Sequence, residues 1–153
     1  MIWHYTERLS AADVLHEGVI RAKPKTLHKD AFARDRGIDT VPVVWFTASN
    51  EPDATVLAKM KIGGWPMPPI GDLYRFALPD DYPVERIPDD EGPVLGIATE
   101  WWFWTVMTAQ MAGETLADTR MILRDVPLSD VIAVEVLSGF DGDGRLTWRR
   151  VDV

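Results

Sequence analysis

His4, Tyr5 and Thr6 stand in a row inside the apolar N-terminal string Met-Ile-Trp-His-Tyr-Thr. An imidazole titrates near neutral pH, and the two hydroxyls donate and accept hydrogen bonds. On a strand such residues cost core packing, and a site is the usual return for that cost. Alternation sends Ile2, His4 and Thr6 to one face and Trp3 and Tyr5 to the other. Of the trio, Tyr5 is the one most readily returned to the core. A second residue out of place is Glu135, within the apolar run Val131 to Leu137. A carboxylate there is expensive unless it is paired or used. Two readings stand level: a functional carboxylate, or a partner across the last hairpin for Arg145, Arg149 or Arg150.

Other chemistries find little support. The chain has no cysteine, so thiolate catalysis, disulfides and Cys-ligated metals are excluded. Its three histidines, His4, His16 and His28, are not spaced as a metal site. Asp141-Gly142-Asp143-Gly144 begins like a calcium loop, but Arg145, Leu146 and Asp152 fill later places where the loop pattern needs other residues, so it reads as a hairpin turn. There is no glycine-rich phosphate loop and no Gly-x-Ser-x-Gly elbow. A net charge of -8 argues against broad binding to a nucleic-acid backbone. The basic stretch Lys23 to Asp39 reads first as a solvated loop and second as a local anion site.

The elements that position these residues follow from pattern. With 153 residues and 46% apolar composition, the chain is expected to form a single domain, residues 1–153, with a substantial core. Seven tryptophans point to a cavity or interface, because a buried indole N–H needs a partner. Ile2 to Thr6 is the first expected strand. A helix follows from Leu9 to His16, with Ser10 as N-cap, Leu9, Ala12 and Leu15 on its apolar face, and Gly18 as its stop. Val19 to Ala22 forms a short strand. Val41 to Ala48 is apolar on both faces and so reads as a central strand. Thr55 to Lys61 is strand or helix. Gly63 to Gly71 is a loop that carries Trp65. Asp72 to Leu78 is a strand with Tyr74 and Arg75, and Pro79 to Pro93 is an acidic connection. Glu100 to Met111 is a helix with an aromatic stripe. Arg120 to Leu123, Val131 to Leu137 and Arg145 to Val151 are strands. Without regular βαβ alternation, the class is α+β. No run approaches the ~20 apolar residues of a membrane span, so the cytoplasm is the expected compartment.

Four segments, in order, resemble the ADP-ribosyltransferase superfamily, especially small bacterial members related to DNA-modifying toxins and the RNA 2′-phosphotransferases. They are Trp3-His4-Tyr5-Thr6, Gly18-Val19-Ile20-Arg21, Val43-Val44-Trp45-Phe46-Thr47, and Val126 to Val136 with Glu135. The resemblance implies a fold of split β-sheets with flanking helices and a cleft for NAD as co-substrate. It implies that His4 holds the nicotinamide ribose, with Thr6 in support. Trp45 or Phe46 would stack near the nicotinamide, with Thr47 or Ser49 bracing. Arg75 or Arg21 would meet the pyrophosphate. Glu135 would bind the ribose 2′-hydroxyl and stabilise the oxocarbenium-like transition state, a role that suits a fixed carboxylate beside developing positive charge.

Two positions depart from the family pattern. Trp45 or Phe46 stands where the family has a tyrosine, and Ala133 stands two residues before Glu135, where protein-modifying members carry Glu or Gln. The expected activity is therefore NAD-dependent ADP-ribosyl transfer to a nucleic acid or small molecule. The alternatives are an inactive nucleotide- or protein-binding module on the same fold and, more weakly, 2′-phosphotransfer.

Overall fold

The computed structural model describes residues 1–24, 42–52, 69–86 and 117–153. The expected Trp65 loop, the Glu100–Met111 helix, the Thr55–Lys61 segment and most of the basic stretch lie outside these residues. Among the described residues the elements run β1 (Ile2–Glu7), α1 (Arg8–Glu17), β2 (Val19–Ile20), β3 (Lys23–Pro24), β4 (Pro42–Thr47), β5 (Leu73–Leu78), β6 (Glu85–Arg86), β7 (Thr119–Ile122), β8 (Val126–Pro127), β9 (Ala133–Phe140) and β10 (Leu146–Arg150). The class is α+β, dominated by antiparallel sheet. Among the described residues no helix is long and apolar enough to cross a membrane.

The main sheet has the order β10-β9-β5-β1-β4-β7-β6, with β3 paired to the start of β4. Strand β4 is interior, as its two apolar faces predict. The β1 alternation divides the sheet into two packing layers. On one face Ile2 joins Val44, Phe46, Phe76, Leu78 and Val134. Helix α1 covers this face through Ala11 and Val14, and the separate β2–β8 pair adds Ile20 and Val126. On the other face Trp3 and Tyr5 pack with Leu73, Ala77 and Leu137, bordered by Ala133, Leu146 and Trp148.

Several expectations are corrected. Helix α1 starts at Arg8 after Glu7 and has no side-chain cap bond, so Ser10 is not its N-cap. The docked stripe is Ala11, Val14 and Leu15. Ala12 is exposed and Leu9 is 77% exposed, because their positions on the turn point away from the sheet. Gly18 does end the helix, at φ 71°, and its N–H reaches the Val14 carbonyl at 2.9 Å. That left-handed geometry suits glycine. The strand expected at Val131 starts at Ala133, since a 3₁₀ turn over Leu128–Asp130 holds the Val131 N–H on the Leu128 carbonyl. Asp141 closes the last hairpin, its Oδ1 accepting from the Asp143 and Arg145 N–H groups at 2.9 and 2.8 Å.

The 3₁₀ turn is tied back to the 79–84 connection by Tyr82, whose hydroxyl donates to Asp130 Oδ2 at 2.8 Å. Burial, and then this hydrogen bond, raise the Tyr82 phenol above its usual value of 10.0, while nearby Arg124 acts the other way. The folded state therefore favours the neutral phenol. Its contribution is complete below pH 10 and is lost as pH rises through the raised value. Tyr82→Phe should cost about 1 kcal/mol at pH 7. In urea denaturation the gap between the two proteins should close above that raised value. A gap that persists or widens there would contradict the assignment.

Candidate functional site

The strongest local constellation lies on the face opposite α1. Register places Tyr5 of β1 opposite Arg75 of β5, and Arg75 opposite Glu135 of β9. Opposed residues share a face, so the three form a row across the sheet. Arg75 Nε donates to Glu135 Oε2 at 2.7 Å, and Nη2 meets the same oxygen at 2.5 Å. The guanidinium lies between two indoles, with Cζ 3.9 Å from the Trp3 centroid and 4.2 Å from that of Trp148. Its Nη1 donates to the Asn50 carbonyl at 3.2 Å.

The sequence accounts for this assembly locally. Trp3 stands opposite Ala77, and Ala77 opposite Ala133, so small side chains leave room for the indole. The Trp3 Nε1–H donates to Asn50 Oδ1 at 3.0 Å, which gives the buried ring the partner it requires. The turn after β4 presents Asn50 and is held by its own hydroxyls. Thr47 Oγ1 accepts from the Ser49 N–H, and Ser49 Oγ accepts from the Glu51 N–H, each at 3.1 Å. Tyr5 donates to the Ser49 carbonyl at 3.4 Å, and its ring tilts toward Trp148 with centroids 5.8 Å apart. Thr47 and Ser49 thus brace the turn that feeds Arg75.

The sequence-predicted residues divide between the faces. Glu135, Arg75, Thr47 and Ser49 belong to the Trp3 face or its bordering turn. Trp45 is half-buried and alternates with Val44 and Phe46, which sends its indole to the same side as Trp3. His4 and Thr6 lie on the α1 face, with the His4 ring 5.5 Å from Phe46 and 6.4 Å from Phe76. His4 Nδ1 is 2.8 Å from the Trp45 carbonyl. A carbonyl only accepts, so Nδ1 carries the proton. Thr6 stands opposite Tyr74. The sheet therefore separates His4 and Thr6 from Glu135. Arg21 is engaged elsewhere, with Glu17 at 2.7 Å and Asp125 at 3.3 Å.

Sequence reasoning missed Trp3, Trp148 and Asn50. The signals were present: many tryptophans, each needing an N–H partner, and a β1 alternation that put Trp3 with Tyr5. It also weighed the wrong arginines for Glu135. Arg150 stands opposite Glu135 in register, yet its Nη2 donates to the Ile132 carbonyl at 3.1 Å. Arg75, 60 residues away, holds the carboxylate.

Exposure sets what the row can do. Arg75 is buried to 10% side-chain exposure, while Glu135 keeps 22%. Both Arg75 contacts fall on Oε2, and among the described residues Oε1 receives no hydrogen bond. A carboxylate fixed in this way can accept a ligand hydroxyl on its second oxygen. Among the described residues no group of three or more His, Asp or Glu is placed to hold a metal ion. Compared with protein families, curated proteins and solved structures, the chain matches none.

Removing one partner of a buried pair strands the other charge, at about 3–5 kcal/mol. Arg75→Leu should fall near the low end, about 3 kcal/mol, because Glu135 is partly hydrated. Adding Glu135→Leu should recover at least half of that loss in a double-mutant cycle by chemical denaturation. Additive losses would contradict coupling between the two residues. Arg75→Lys should rescue little, since an ammonium lacks the planar fork that stacks and binds together.

Proposed function

We propose that the chain is a nucleotide-binding domain in which Glu135 Oε1 accepts a ribose hydroxyl, and that it does not run ADP-ribosyl transfer through a His4–Glu135 pair. One observation carries this reading: the sheet directs His4 and Glu135 to opposite faces. The transferase chemistry implied by the sequence resemblance needs both groups on one ribose, because a histidine that binds the sugar and a carboxylate that stabilises its positive charge must meet the same ring. The arrangement supports binding instead. A carboxylate clamped by Arg75 is pre-oriented, so a hydroxyl can join it with little ordering cost. NAD is the first ligand to test, since the same resemblance points to it. A nucleic-acid acceptor has no role in a binding domain of this kind.

The test is thermal stability with NAD and with adenosine, alongside nicotinamide release from NAD. Ligand at 100 times its Kd should stabilise the protein by about 2.7 kcal/mol, with no nicotinamide released. Removing the hydroxyls should abolish the effect, so 2′,3′-dideoxyadenosine should give no shift. Glu135→Gln should lose the shift for adenosine while circular dichroism confirms that it folds. Nicotinamide release that disappears in both His4→Ala and Glu135→Gln would establish the transferase reading and overturn this one. No shift with either ligand would overturn nucleotide binding altogether.

A further inference from the structure

The main sheet ends at β10, which has β9 on one side and, among the described residues, no strand on the other. The register shift lies before Trp148, so Trp148, Arg149 and Arg150 run regularly opposite Leu137, Val136 and Glu135. The Val151 N–H donates to the Val134 carbonyl at 2.8 Å, which sets the phase of the ladder. Hydrogen-bonded and non-hydrogen-bonded positions alternate along an antiparallel pair. Val151 and Arg149 therefore turn their N–H and C=O groups to β9, and Arg150 and Trp148 turn theirs outward. Among the described residues nothing bonds those four outward groups.

This edge also carries a charge pattern. Strand β10 reads Leu-Thr-Trp-Arg-Arg, with two positive charges and no negative one. Arg149 and Arg150 are exposed, and alternation sets them on opposite faces of the sheet. Arg150 uses Nη2 on the Ile132 carbonyl, while the Arg149 side chain makes no hydrogen bond or ion pair among the described residues. We propose that β10 is a docking edge for an extended acidic segment of a partner protein, which lies antiparallel beside it as an added strand. Main-chain bonds to Trp148 and Arg150 supply the pairing. Two adjacent Asp or Glu residues of the partner supply the selectivity. Neighbouring side chains on a strand point to opposite faces, so each carboxylate meets one arginine. The carboxylate opposite Arg149 takes a non-hydrogen-bonded position, where side chains approach most closely. Asp152, beyond the strand, sets where the acidic pair must end. A second copy of this chain fits less well, because self-pairing centred on Arg149 or on Arg150 sets arginine against arginine. The proposal is independent of the Glu135 reading.

The probe is the peptide Thr-Val-Glu-Glu-Val-Thr, acetylated and amidated, titrated into the whole protein and followed by amide NMR and hydrogen exchange. In the proposed register its first Glu stands opposite Arg150, its second opposite Arg149, and the next Val opposite Trp148. It should bind with a Kd of roughly 1 mM or below. At saturation, exchange of the Trp148 and Arg150 N–H groups should slow at least tenfold. N-methylation of the first Glu removes the donor aimed at the Arg150 carbonyl and should abolish binding. N-methylation of the second Glu, whose N–H points away, should leave the affinity within about twofold. Replacing both Glu residues with Lys should weaken binding at least tenfold. Arg149→Glu, an exposed substitution, should weaken the parent peptide at least tenfold and bind the peptide whose second Glu is Lys, which also shows that the variant folds. The proposal fails if no saturable shift appears at about ten times that Kd, if the two N-methyl peptides bind alike, or if the Lys peptide binds like the parent. It also fails if the free protein sediments as a dimer with the Trp148 and Arg150 N–H groups already protected, since a second copy then holds the edge.

Discussion

The guanidinium of Arg75 organises one whole face of this sheet. It lies between the Trp3 and Trp148 rings at 3.9 and 4.2 Å, and it meets Glu135 through two nitrogens. Each contact would be modest alone, with a desolvated cation–π contact worth about 2 kcal/mol. Together they tie β1, β5, β9 and β10 at one point. A bare arginine at this depth would be costly, so these partners are what make its burial tolerable. Trp3 in turn needs Asn50, and Asn50 needs the turn held by Thr47 and Ser49. One buried charge thus fixes the position of groups from four separate stretches of chain.

The same anchor decides what Glu135 can be. Its carboxylate is neither a loose surface charge nor fully consumed by its partner. One oxygen is occupied, the other is not bonded among the described residues, and the side chain stays partly exposed. That is the physical basis for reading it as a fixed acceptor. The α1 face carries His4 in a different setting, wedged toward Phe46 and Phe76 with Nδ1 on the Trp45 carbonyl. A six-residue strand that alternates strictly cannot bring His4 to Glu135 without losing its register with β5.

Much of this architecture was legible in the chain. Period-two alternation read β1 correctly, including the separation of His4 and Thr6 from Trp3 and Tyr5. The two apolar faces of β4 marked an interior strand, Gly18 marked a helix end, and Asp141 to Gly144 marked a hairpin. These are local signals, and local signals survive folding when no neighbour competes. The misses were non-local. Glu135 had three arginines nearby in sequence, and nothing in the chain reveals that β5 pairs with β9. Arg75 wins because register brings it face to face with Glu135 while Arg150 turns to a carbonyl. Ser10 looked like a cap because its residue type suits one, but the chain turns helical two residues earlier, straight out of β1. His4 and Glu135 stand on opposite faces for the same reason that β1 was readable. Alternation gives each residue a face, yet which face β9 shows depends on a register that only the fold sets.

The most direct test is a nucleotide titration followed by NMR at two reporters on opposite sides of the sheet. These are the indole Nε1–H of Trp148, beside Arg75, and the ring Cε1–H of His4. Added NAD should move the Trp148 resonance in a saturable manner and leave His4 unmoved. A saturable shift at His4 with Trp148 silent would place the ligand on the α1 face and contradict the account.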